Sequence, residues 1–348
     1  MAAATALLSG LRVLDLSIWR PGPYATSLLV ALGADVLKVE PPGGDPMRHY
    51  PGLFASINAG KRSVVLDLKD DAGRARGLAL AEQADVLVEG FRPGVMARLG
   101  LDEPMVRSRN PALVYCSISG YGQEGERAAL PGHDVNYQAW AGALTPEGGT
   151  ATLPALPTAD LAAGLTAAFG ICAAVIGRAS SGEGTFLDVS MTDVMASWTG
   201  RTGANTGRGV ASGVPAPAPA DATPGYGLFA TADAGQVALG VVNEQHFWSA
   251  LCDELGLGEL ADLAFEARSR RGAELQQTVR SAVAGRRRDD LVTSLAAAGV
   301  PVAPVLDRSG MLDSAPFPAF PIRLPLREGH RAVPNLDQHH GESFCDRA

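Results

Sequence analysis

Between residues 11 and 120 the chain alternates short apolar runs with stretches of helical periodicity, and this alternation restricts the fold more than any other feature. LRVLDL (11–16), ADVLKVE (34–40), RSVVLDL (62–68), ADVLVEG (84–90) and LVYCSIS (113–119) are apolar on both faces, as buried parallel strands are when helices cover each side of the sheet. Between them, YATSLLVALG and DDAGRARGLALAEQ carry helical spacing, with Asp70 or Asp71 placed to cap the second. The expected fold is α/β, a Rossmann-like doubly wound sheet whose ligands sit at the carboxyl ends of the strands.

The first strand leads into SIWRPGPYAT rather than GxGxxG, and Pro21, Gly22 and Pro23 predict a rigid turn into a helix. A nicotinamide dinucleotide is not indicated, no P-loop pattern occurs, and the helix start is free for another phosphate-bearing group. PPGGDPMR (41–48) reads equally well as a nucleotide-side loop or as a plain surface turn. TADLAAGLTAAFGICAAVIG predicts a helix of small apolar residues, with Thr158 or Asp160 as its N-cap, and FLDVSM returns as a strand. The Gly-, Pro- and Ala-rich stretch that follows reads as a linker over residues 201–225. Beyond it, QVALGVV, helices near 245–256, 273–284 and 288–299, and PVAPVL predict a smaller α+β domain over 226–306. Residues 1–200 form the expected large domain, with 307–348 folding back onto it.

A net charge of −8, from 29 Lys plus Arg against 37 Asp plus Glu, argues against nucleic-acid or anionic-membrane partners. The arginine clusters Arg268, Arg270, Arg271 and Arg286, Arg287, Arg288 are expected on solvated helix faces. Cys116, Cys172, Cys252 and Cys345 show no CxxC or metal-ligand spacing, which fits reduced thiols in a cytoplasm. The N-terminus lacks the basic start of a signal peptide, and no run of about 18 apolar residues is expected to cross a membrane. In PGHDVNYQ (131–138) the residues alone leave His133 either as a proton carrier or as part of a turn beside Asp134.

Several stretches, in order, resemble family III CoA-transferases, the CaiB/BaiF family that includes the α-methylacyl-CoA racemases. They are LSGLRVLDLSIWRPGPYATSLLVALGADVLKVEPPGGDPMR, GKRSVVLDLK, ADVLVEGFRPGVMARLGL, NPALVYCSISGYGQEG, GHDVNYQAWAG, ADLAAGLTAAFGI, SGEGTFLDVSM and GVPVAPVL, covering most of residues 8–306. The resemblance implies coenzyme A bound on the large domain, with two subunits interlocked as a homodimer. It implies an acyl-CoA thioester as partner and no cofactor beyond the CoA of the substrate. It places Arg92 and Arg98 of EGFRPGVMARLG at the CoA phosphates, where a forked guanidinium suits phosphate oxygens. Lys38, Val39, Lys61 and Arg62 then surround the nucleotide end.

The family's catalytic carboxylate falls at Asp160. In the transferases it attacks an acyl-CoA and passes CoA to a second acid through aspartyl intermediates. In the racemases it works with a histidine to remove a proton from the carbon beside the thioester and return one on the other face. PGHDVNYQ is close to the racemase GHDxNY motif, so His133 and Asp160 form the implied acid–base pair, with Asp134 holding the loop. ADLAAG (159–164) is more transferase-like than the racemase GDFGGG. The glutamate that supports the racemase histidine corresponds to Asn243 by spacing or to Glu244 one residue later. The implied activity is inversion of a 2-methyl-branched or 2-aryl acyl-CoA, with CoA transfer, or CoA-thioester binding without either reaction, as alternatives.

Overall fold

A computed structural model describes residues 6–144, 151–198, 223–314 and 331–344. The chain divides into two compact units, Met1–Val210 with Ile322–Ala348, and Ala211–Pro321. The stretch read as a linker lies almost wholly outside the described residues, as does Cys345.

In the first unit the elements run β1 (Arg12–Asp15), α1 (Pro21–Ala31), β2 (Asp35–Glu40), α2 (Pro51–Asn58), β3 (Arg62–Val65), α3 (Asp71–Gln83), β4 (Val86–Glu89), α4 (Val95–Leu99), α5 (Glu103–Arg109), β5 (Val114–Ser119), α6 (Asp134–Trp140), α7 (Thr158–Ser181), β6 (Phe186–Ser190) and α8 (Met191–Trp198). The six strands are parallel in the order β3-β2-β1-β4-β5-β6. Strand residues alternate between two cores, as a period of two requires. Val13, Val36, Val86, Val88, Cys116 and Ile118 face α1, α6, α7 and α8. Leu14, Leu37, Leu87, Leu113 and Tyr115 face α3, α4 and α5. The expected α/β sheet, covered on both sides, is the one observed.

Local signals account for the helix starts. Pro21 opens α1 at a position where the missing N–H costs nothing. Of the two aspartates read as caps for α3, Asp70 performs the role, accepting the Gly73 N–H at 2.6 Å. The expectation for α7 fails: neither Thr158 nor Asp160 caps it, because the helix begins directly after Pro157 and both lie inside its first turn. Over its most apolar window α7 has a mean hydropathy of 1.9, so by length and composition it does qualify as a membrane span, contrary to the sequence expectation. Core helices of soluble proteins pass the same test, and here Ala162, Ala163, Ala167 and Ile171 are packed into the first core.

Residues 331–344 lie along the free edge of β3. Ser63 and His339 exchange bonds, the Ser63 N–H reaching the ring Nδ1 at 3.1 Å and the His339 N–H reaching the Ser63 carbonyl at 3.0 Å. The Val65 N–H donates to Asp337 at 2.8 Å. Backbone groups that an edge strand would leave open are thereby occupied.

The second unit contains β7 (Tyr226–Ala230), β8 (Gln236–Gly240), α9 (Gln245–Leu255), α10 (Phe265–Arg270), α11 (Gly272–Ala284), α12 (Arg288–Ala297), β9 (Val302–Pro304) and α13 (Arg308–Ser314). Its antiparallel strands follow the order β7-β8-β9 and cover a core around Trp248, Val279, Leu291 and Leu295. Arg268 corrects the reading of its cluster as solvated: it is 1 % exposed, lies over the Trp248 ring, and donates to the carbonyls of Val242 and Asn243. Arg270 and Arg271 remain exposed, as expected.

Candidate active site

The strand order of the large sheet reverses between β1 and β4, and a cavity of about 470 Å³ opens at their carboxyl ends. Trp19 and Pro21 after β1, Gly90–Pro93 after β4, Ser119 and Gly120 at the end of β5, and the loop leading to His133 form its walls. His133, Tyr137 and Asp160 line this one cavity, so the structure brings the two implied proton carriers together.

The glycines explain how the elements come this close. A Cβ on Gly164 would lie 2.6 Å from the Pro21 carbonyl oxygen, so only glycine lets α7 approach α1 one turn beyond Asp160. A Cβ on Gly120 or Gly132 would collide with the Tyr137 ring, which is wedged between them and donates its hydroxyl to the Gly132 carbonyl. Trp19 carries a left-handed backbone (φ 64°), a costly conformation for a bulky residue, and its amide faces Asp45 Oδ1 at 3.3 Å.

Asp160 is half-buried in the first turn of α7. Burial pushes its carboxyl up to about 7, the neighbouring Asp134 charge adds to this, and Arg20 opposes it. A carboxyl in that range can hold or release a proton near neutrality. His133 is the exposed residue immediately before α6, and its backbone N–H donates to Asn136 Oδ1 at 3.0 Å while its carbonyl accepts the Asn136 N–H at 2.8 Å. Turn geometry and a place in the cavity therefore coexist in this residue.

Arg92 lines the cavity, and Arg98 lies beside the same loop on α4. Both are exposed, and among the described residues neither guanidinium is held in an ion pair. The loop carrying Arg92 is held from beneath by Glu89, whose Oε2 accepts the Phe91 N–H at 2.7 Å. Burial, with some repulsion from Asp188, raises the Glu89 carboxyl to about 7 against its bonds to Ser117 and Phe91.

The groups expected around the nucleotide end are placed differently. Lys38 and Lys61 are buried, and their ammonium groups are already bonded inside the protein. Lys38 meets Asp45 at 2.9 Å and the Ser17 carbonyl at 2.7 Å. Lys61 meets Asp15 at 3.0 Å, with the Pro23 carbonyl and Asn58 Oδ1 each at 2.9 Å. The Val39 side chain belongs to the second core, and Arg62 is paired with Asp35 and Glu342. In PPGGDPMR, Arg48 folds back onto Glu40 at 2.6 Å, so this loop is tied down by its own charges. Glu244 belongs to the second unit, where it is half-buried just before α9 and accepts the Val242 N–H at 3.2 Å.

Sequence reasoning gave Asp134 only a general holding role and gave none to Arg20 or Glu89. The signal for Asp134 was Pro157: a helix entered from proline without a capping side chain needs its acceptor from elsewhere.

The model of CoA-transferase family III matches residues 8–337. The acetyl-CoA:oxalate CoA-transferase of Acetobacter aceti is 36 % identical over 324 residues, covering 86 % of this chain and 80 % of that protein. The human α-methylacyl-CoA racemase is 35 % identical over 267 residues, covering 72 % and 65 % respectively. A CaiB/BaiF family protein from Brucella suis superposes with a TM-score of 0.80 at 29 % identity, covering 95 % of this chain and 97 % of that one. With the match running through nearly every element that builds the cavity, the chain belongs to CoA-transferase family III.

Proposed function

We propose that the protein is an acyl-CoA racemase that inverts the α-carbon of a 2-methyl-branched or 2-aryl acyl-CoA. The reading rests on one observation above others: His133 and Asp160 line a single cavity. One of them in its basic form removes the α-proton, the C–H electron pair passes into the thioester enolate, and the other in its acid form returns a proton to the opposite face. An Asp160 carboxyl near 7 supports this use, because either protonation state is then populated at working pH. Both carriers are side chains, so the reaction as written calls for no metal or redox group.

The CoA phosphates are assigned to Arg92 in the loop after β4 and Arg98 on α4, both exposed. Lys38 and Lys61 support that end through the framework, since their ammonium groups are occupied. Glu244 is proposed to orient His133 in an interlocked homodimer working in the cytoplasm.

The similarity to the oxalate transferase, together with ADLAAG in place of GDFGGG, favours a second reading, CoA transfer through Asp160. Incubating 2-methyl- and 2-arylacyl-CoA esters in heavy water separates the two. Deuterium at the α-carbon with inversion is expected; in His133→Ala inversion is lost, and exchange that survives proceeds with retention on the one enantiomer whose proton faces Asp160. Absence of exchange across the panel, together with a covalent CoA adduct on Asp160, would establish the transferase.

A further inference from the structure

Asp134 is not part of the cavity wall, yet its two carboxylate oxygens join α6, which starts directly after His133, to α7, which carries Asp160. Oδ1 accepts the N–H of Ala159 at 2.7 Å and that of Asp160 at 3.1 Å, while Oδ2 receives Gln138 Nε2 at 2.6 Å. The first two bonds cross 25 and 26 residues of sequence. They supply what α7 lacks, since the helix follows Pro157 without a side-chain cap of its own. Ala159 is fully buried, so without Asp134 its amide would have no acceptor and no water. A carboxylate is also the favoured charge at a helix start, and bonds to it are stronger than neutral ones.

We infer that Asp134 is a positioning residue: its side chain, supplied by α6, caps α7 and thereby fixes the spacing of His133 and Asp160. The same carboxylate adds its charge to the effect of burial on Asp160, so one group bears on both spacing and proton affinity. The groups facing Asp160 are Asp134 from α6 and Arg20 from the start of α1, with His133, Arg92 and Tyr137 in the shared cavity. The inference rests on the reading that Asp160 is the reacting carboxylate, whichever of the two reactions it performs.

Two substitutions separate the roles of Asp134. Asp134→Asn keeps an acceptor for both α7 amides, and Gln138 can turn its amide to meet the new NH₂, but the charge is gone. The acid limb of kcat/KM is then expected to move to lower pH while kcat at the optimum falls less than about tenfold. Asp134→Ala removes the cap, and kcat is expected to fall roughly a hundredfold, as for a misplaced catalytic group, with KM for acyl-CoA within about threefold. An Asp134→Ala protein with kcat unchanged overturns the positioning role. An Asp134→Asn acid limb that stays in place overturns the electrostatic one.

Titrating Asp160 by carboxyl-carbon NMR in wild type and Asp134→Asn reads the same shift without turnover. It serves if Asp134→Ala does not fold, and an unmoved titration counts against the inference. If the wild type turns over no acyl-CoA, the functional reading fails while this measurement still decides the role of Asp134.

Discussion

Lys61 offers the sharpest test of how the loops behind the cavity are held. Its ammonium group is fully buried against an equally buried Asp15, and it also binds the Pro23 carbonyl and Asn58. Burial works against the Asp15 charge, but Lys61 first and Lys38 second, with the Ser17 and Thr26 hydroxyls, hold its carboxyl down at about 2. Against its ordinary 3.8, and at about 1.36 kcal/mol per pH unit, that depression represents about 2 kcal/mol at neutral pH on the Asp15 side, opposed by the burial of Lys61, whose ammonium is lowered to about 8. The sign follows from the depressed value: the contribution is full above 3.8 and is lost as pH falls towards 2. Lys61→Met leaves Asp15 buried with fewer counter-charges and two acceptors without a donor, and should cost about 3–5 kcal/mol. In urea the midpoint should then drop by roughly 1–2 M at an m-value of about 2–3 kcal/mol/M. Adding Asp15→Asn should recover part of the loss, because the unpaired charge disappears while an acceptor for Thr26 remains. The KM for acyl-CoA should stay within about twofold. A Lys61→Met protein of unchanged stability with tenfold weaker CoA-ester binding would refute this reasoning and return Lys61 to the nucleotide site.

Three other outcomes follow from the geometry. Gly164→Ala forces a methyl group against the Pro21 carbonyl and should cost about 1–3 kcal/mol, with a fall in kcat as Asp160 shifts; unchanged melting and kcat would count against close helix approach as the reason for glycine. Arg92→Ala and Arg98→Ala should each raise KM for acyl-CoA roughly tenfold while kcat changes little, measured by initial rates; unaltered KM in both removes them from the phosphate site. Between pH 3.8 and about 7, folded Asp160 keeps a proton that the unfolded chain has released. Asp160→Asn should therefore be more stable than wild type above pH 7 in urea titrations, with the difference vanishing below pH 4.

The large sheet was legible because its first five strands are runs of residues apolar on both faces, a pattern with few other uses. The placement of a site at the strand ends followed from that sheet. β7 escaped because YGLFA contains a glycine and follows the Gly- and Pro-rich stretch that reads as a linker. Arg268 misled because its helix carries charges on both sides of it, and only the folded unit reveals Trp248 beneath it. Lys38 and Lys61 are occupied in a way the sequence hides: Asp45 turns back onto Lys38 from the following loop, Asn58 meets Lys61 from the end of the preceding helix, and Asp15 reaches Lys61 from the first strand. The Asp134 cap is a long-range contact, and helix-start rules consider only the few residues next to the start.

The tail along β3 carries a consequence for how the molecule is made. Ser63 and His339 are 276 residues apart, so β3 leaves the ribosome long before the segment that closes its edge has been synthesised. Until then a strand with open N–H and C=O groups is exposed to any neighbouring chain. Contacts of such separation form late, after the loop-closure entropy has been met by the rest of the sheet. Aggregation of nascent or truncated chains should accordingly begin at β3, and a peptide spanning residues 331–344 added in trans should suppress it.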